Sequence, residues 1–67
     1  MKITPNQRHL LFLTRKGKRE NGWTDVSDMI WPLVEGLSSE LPQLVEIDKE
    51  KKLIKLTNDG EIVLDYT

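Results

Sequence analysis

The chain has 67 residues, a formal net charge of −1, no cysteine and a single histidine. A chain this short is expected to fold as one domain over residues 1–67 and to bury only about 60% of the surface that its unfolded form exposes, so its core must be small. Disulfides and thiolate metal sites are excluded, His9 alone leaves no His-rich metal site, and no apolar run reaches a membrane span or a signal-peptide core; a cytoplasmic protein without cofactor, metal or membrane partner is expected.

The first element is written plainly. Thr4-Pro5-Asn6-Gln7 is a capping box with proline at the first helical position, and Arg15-Lys16-Gly17 is a stop: two cations near the negative helix end, then a glycine suited to the left-handed conformation. This predicts a helix from Pro5 to Lys16. Leu10, Leu11, Phe12 and Leu13 point around its whole circumference, which predicts a helix buried on all sides at the centre of the domain. His9 has no partner at ligand spacing and reads as a structural or surface residue.

Lys16 to Gly22 is a polar connection, and with Arg15 it is the densest cationic stretch in the chain. Thr24 or Asp25 is placed to cap a second helix. Val26, Met29, Ile30, Leu33, Leu37 and Leu41 recur at helical spacing, interrupted at Pro32, which predicts two short helices or one kinked helix over residues 25–31 and 32–41. Trp23 and Trp31 are large enough to anchor the small core. An exposed tryptophan would indicate a partner site instead.

Leu44, Val45 and Ile47, then the charged Asp48 to Lys52, then Leu53, Ile54 and Leu56 read as a β-hairpin with an exposed, mobile tip over Lys49 to Lys52. A hairpin alone is marginal in water, so it must lie on the helices. The predicted core is Leu10, Leu13, Val26, Ile30, Leu33, Leu37, Val45, Ile47, Ile54 and Leu56. Beyond the hairpin, Ile62, Leu64 and Tyr66 fit one face of a third strand, while Thr57 equally fits the cap of a short helix with Ile62, Val63 and Tyr66 on one side; local propensity leans to strand.

Helix, helix, interrupted helix and hairpin is the element order of the winged helix-turn-helix superfamily. Thr4-Pro5-Asn6-Gln7 followed by Leu10, Leu11 and Leu13 resembles the first helix of many of its bacterial members. Leu44-Val45-Glu46 resembles the lead into the wing, and Leu56-Thr57-Asn58-Asp59-Gly60 resembles the Leu-Thr-x-x-Gly pattern after it. The resemblance spans most of the chain. It implies an α+β fold, a small winged-helix-like domain in which helices are followed by a β-hairpin wing and a short C-terminal helix or strand, and it favours helix after Thr57. The chain departs from the DNA-binding pattern where a reading helix is expected: Pro32 to Leu41 carries Glu35 and Glu40 and no cation, and duplex DNA repels acids.

Charge is sorted along the chain. Residues 1–19 hold six cations and no acid, and residues 20–48 hold seven acids and no Lys or Arg. Two partner classes follow. Arg15, Lys16, Lys18 and Arg19 from the loop with Lys49, Lys51, Lys52 and Lys55 from the wing fit duplex DNA through its phosphates, as in a transcription-regulatory module. The acidic middle segment fits a protein partner instead. Internal charge balance accounts for the same blocks without any partner. Ser27, Ser38 and Ser39 lack a His and acid arrangement and no Gly-rich phosphate loop is present, so neither catalysis nor catalytic residues are expected.

Overall fold

The computed structural model describes residues 2–66. Along the chain run α1 (Pro5–Lys16), β1 (Thr24–Asp25), α2 (Trp31–Glu40), β2 (Val45–Asp48), β3 (Leu53–Leu56) and α3 (Asn58–Asp65). The fold is therefore α+β, three helices with one antiparallel sheet in the order β1-β3-β2.

The capping box forms as expected: the Gln7 amide donates to Thr4 Oγ1 at 3.1 Å, and Thr4 N–H donates to Gln7 Oε1 at 2.8 Å. Gly17 ends α1 at φ −92°, not in the expected left-handed region. Its smallness matters for a different reason. A Cβ there would stand 3.1 Å from Thr24 Cγ2 and 3.3 Å from the Leu13 carbonyl oxygen, a tight fit in which the Thr24 methyl would have to give by a few tenths of an ångström.

The helix expected over residues 25–31 is absent. Thr24 does not cap: its hydroxyl donates to the Thr14 carbonyl at 2.6 Å, and it pairs with Ile54 in the sheet. The Val26 amide donates to the Lys52 carbonyl at 3.0 Å, so tertiary bonds take the groups that a helix would have used. Pro32 starts a helix rather than kinking one. It sits in the first turn of α2, where the missing donor costs nothing.

That start fixes the phase of α2. Trp31, Val34 and Leu37 turn inward and are buried, while Ile30 and Leu33, assigned to the core by the longer periodic reading, are exposed. Leu13 is exposed too, so α1 is not surrounded. It rests one side on β3 and α3, with Leu11 and Thr14 buried there. The core is Leu11, Trp31, Val34, Leu37, Leu44, Val45, Ile54 and Leu64, with Leu10, Val26, Ile47 and Leu56 half-buried against it. Each full burial of such a side chain is worth roughly 1.5–3 kcal/mol.

The hairpin has the expected alternation. Val45 faces Leu56 and Ile47 faces Ile54 toward the helices; Glu46 opposes Lys55 and Asp48 opposes Leu53 on the outer face. Asp48 Oδ1 accepts from the amides of Glu50 and Lys51 at 3.0 and 3.1 Å and so shapes the turn. Lys49, Glu50 and Lys51 are exposed, but Lys52 is not the free tip residue expected. It holds φ 55° and is half-buried, with its ammonium 5.4 Å from the Trp31 ring centroid. Trp23 is likewise no core anchor: it lies half-buried with Lys55 Nζ 5.1 Å from its ring centroid.

After β3 the chain forms a helix. Thr57 Oγ1 accepts from the Gly60 amide at 3.1 Å and donates to the Gln43 carbonyl at 2.6 Å, so one side chain caps α3 and ties it to the chain before β2. Gly60 is obligatory on packing grounds, since a Cβ there would run into the Leu44 carbonyl oxygen. The short pattern Leu56-Thr57-x-x-Gly60 is thus a cap plus a close helix-to-backbone approach.

Candidate functional site

Six of the eight cations singled out from the sequence fall at two places, and Lys16 and Arg19 line neither. Arg15 and Lys18 from the end of α1 and its loop meet Lys55 of β3 around a cleft of about 250 Å³, which Asn21, Asn58 and Glu61 also line. The loop and the strand, far apart in sequence, do come together. Lys49, Lys51 and Lys52 stand at the other end of β3, about 10 Å away along a strand rising about 3.3 Å per residue.

Most of the converging charge is already answered. Arg15 Nη1 lies 2.6 Å from Asp65 Oδ1 and 3.9 Å from Glu61 Oε2. Arg19 pairs with Asp25, Lys52 lies 3.7 Å from Asp28, and Lys55 lies 3.6 Å from Glu46. Each such exposed pair contributes only about 0–1 kcal/mol to stability, yet each lowers the field that a phosphate would feel. Lys16, Lys18, Lys49 and Lys51 have no ion pair among the described residues. Lys18 is the one uncompensated cation at the cleft.

A second surface has the opposite character. α1 packs on β3 and α3, and α2 packs on β2, while the two helices meet each other only loosely. Between them runs a groove that is mixed polar and apolar at one end and mostly apolar at the other. Its middle and one end are lined by Leu10, Leu33, Gly36 and Leu37, with Thr4, Gln7 and Glu40 closing that end, in a hollow of about 330 Å³. At the other end Leu13, Ile30, Val34 and Val26 line a smaller hollow of about 170 Å³ that reaches Asp25. Asn6 and His9 shoulder the groove beside Leu10 and Leu33.

Among the described residues no Lys or Arg lines these hollows, and the two charged residues that do are Glu40 and Asp25. Of the seven exposed large apolar side chains described, three line these hollows: Leu13, Ile30 and Leu33. Leu33 is 58% exposed. Scattered exposed leucines need no explanation, but a contiguous rimmed patch marks an interaction surface.

Sequence reasoning missed this groove because periodicity reports that a helix has an apolar side, not what covers it. Leu10 to Leu13 carried a usable signal: four consecutive apolar residues on a helix with only one side to bury leave some for the surface.

No family model matches the chain, and no curated protein or solved structure matches it either. Among the described residues no helix is long and apolar enough to cross a membrane, and no three His, Asp or Glu residues are grouped to hold a metal ion.

Proposed function

We propose that this chain is a non-enzymatic protein-interaction module, a winged-helix-like scaffold that captures an amphipathic helical segment in the groove between α1 and α2. The exposed apolar lining of that groove, from Leu10 and Leu13 across to Ile30 and Leu33, carries the reading. A helix laid there would be held at i, i+3, i+4 and i+7 positions. α2 spans ten residues, about 15 Å at 1.5 Å per residue, so about three turns of a guest fit. With Glu40 and Asp25 at its two ends and no cation in its lining, the groove suits a guest with basic flanks.

The winged-helix likeness belongs to the same proposal. It is supported by a hairpin that follows α2 directly and by a capped helix after it.

Calorimetry with a synthetic 14-residue helix carrying Leu on one face and Lys on the other tests the reading. Saturable binding with a negative heat-capacity change is expected, and Leu33→Asp should abolish it. Binding that is absent, or equal in the variant, would remove the groove as the site.

A second reading, nucleic-acid binding through phosphates, is favoured by one observation: Arg15, Lys18 and Lys55 converge at one cleft. If it holds, replacing Lys18, Lys51 and Lys52 by Ala should weaken binding alike on unrelated duplexes and flatten its salt dependence by up to about 0.9 log unit per lost contact. An unchanged salt slope would dismiss it.

A further inference from the structure

We propose that the cleft between the end of α1, β3 and α3 is a site for one phosphate monoester, the terminal phosphate of a small molecule. The site is separate from the α1–α2 groove, and it assigns to Arg15, Lys18 and Lys55 a compact dianion in place of a duplex backbone.

Three cations reach the cleft from three segments of the chain, Arg15 from the last turn of α1, Lys18 from the loop after it and Lys55 from β3, and one carboxylate, Glu61, lines it with them. Few of their donors are spent. A guanidinium carries five N–H donors, and among the described residues the Arg15 side chain makes one hydrogen bond, from Nη1 to Asp65 Oδ1 at 2.6 Å. Lys55 Nζ stands 3.6 Å from Glu46 Oε2, beyond hydrogen-bond reach, and Lys18 has no ion pair among the described residues.

Asn21 is set to donate as well. Its Oδ1 accepts from the Trp23 amide at 3.0 Å, and a backbone N–H meets only the oxygen of a carboxamide, so the NH₂ is what Asn21 has left to offer. The loop that carries it is closed in advance: the Arg19 amide donates to the Trp23 carbonyl and the Gly22 amide to the Arg19 carbonyl, each at 2.9 Å, with Gly22 at φ 86°. Such a loop has little left to order when a ligand arrives.

A lining rich in unspent donors fits an anion with several acceptor oxygens. A phosphate monoester brings three, with a charge of about −1.5 to −2 at pH 7, against three cations and one carboxylate. Size and surroundings narrow the ligand further. The cleft, about 250 Å³, is smaller than the pockets of about 300–1,000 Å³ that enclose a drug-sized ligand, and Leu56 is the one apolar side chain lining it. It therefore holds the charged group and offers no grip to a longer apolar or peptide moiety. Asp65 and Glu46 are exposed beside Arg15 and Lys55. Pairs of this kind are worth only about 0–1 kcal/mol, so a dianion can take the place of the acid on either cation. A polyanion strand continuing across the surface would instead be repelled by both.

Amide-resolved NMR titration of the full chain at constant ionic strength tests the proposal, with glycerol 3-phosphate, inorganic phosphate, dimethyl phosphate and a phosphoserine peptide as separate probes. Saturable shifts at Lys18, Asn21, Gly22, Lys55 and Asn58 are expected with glycerol 3-phosphate and inorganic phosphate in the millimolar range, and weak ones with the diester. Lys18→Ala should weaken binding about tenfold, the loss of one hydrogen bond between charged groups, and because Lys18 is exposed the variant's melting curve should match wild type. Glu61→Gln should tighten binding by removing the one acid in the lining. No saturation with glycerol 3-phosphate overturns the proposal, as do equal affinities for monoester and diester, indifference to Lys18→Ala, or shifts that sodium chloride alone reproduces. A phosphoserine peptide bound at least about tenfold tighter than glycerol 3-phosphate would overturn the small-molecule assignment. Salt-sensitive shifts with duplex DNA in a chain that ignores the monoester would overturn the proposal and leave the nucleic-acid reading standing.

Discussion

The outer face of the sheet and the α1–α2 face differ in what their residues have already been given. On and around the sheet, Arg19, Lys52 and Lys55 each lie against an acid, and Lys52 and Lys55 each lie over a tryptophan ring as well. On the α1–α2 face, Leu13, Ile30 and Leu33 have water. Charges that stand in separate blocks along the chain become interleaved in space, because antiparallel pairing sets Lys55 of the last basic block opposite Glu46 of the acidic one. No equivalent closure exists for the apolar residues between the two helices. The surface with unmet demand is the apolar one.

The largest expected effect compares one buried leucine with two exposed ones. Leu11→Ala should cost roughly 2–5 kcal/mol by denaturant unfolding, since the side chain is fully buried. Leu33→Ala and Leu13→Ala should each stay within about 0.5 kcal/mol, as surface changes usually do. A large loss at Leu13 would restore the picture of an α1 buried all round and dissolve the contrast.

The two helical glycines sharpen it further. Gly60→Ala should destabilise the chain by about 1–3 kcal/mol through overpacking against Leu44. Gly36→Ala should stabilise the isolated chain by up to about 1 kcal/mol while weakening any helix docked in the groove. Opposite signs from one substitution, in a thermal melt of the dilute chain and in a docking measurement, are the mark of a surface built for a neighbour.

Much of the architecture was legible wherever the signal was local. Thr4 with Gln7, the alternation through Val45 to Leu56, and Thr57 with Gly60 each specify a short-range geometry that needs nothing else from the fold. Thr24 to Ile30 misled for the opposite reason. Its helical spacing is real, but Thr24 and Val26 spend their bonds on Thr14 and Lys52, which no local pattern announces. The candidate site was half legible. The residue types that form the cationic cleft were identified, whereas their carboxylate partners depend on register and on where α3 lies.

Smaller effects follow at the caps and among the charges. Thr57→Ala removes an acceptor for Gly60 and a donor for Gln43, and should cost about 1 kcal/mol in unfolding free energy. Breaking the exposed Lys55 and Glu46 pair should cost about 0–1 kcal/mol, and added salt should shrink that difference. An effect at Lys55 larger than that at Thr57 would mean that the charged face contributes more than its exposure suggests.

The most direct measurement is an amide-resolved NMR titration of the chain with the synthetic Leu/Lys helix and, in a second series, with random duplex DNA at moderate salt. The account predicts shifts clustered at Leu10, Leu13, Leu33 and Gly36 in the first series, with little response at Lys18 and Lys55 in the second. Shifts confined to Lys18, Lys55 and the hairpin turn on adding DNA, with a silent α1–α2 groove on adding the helix, would contradict it.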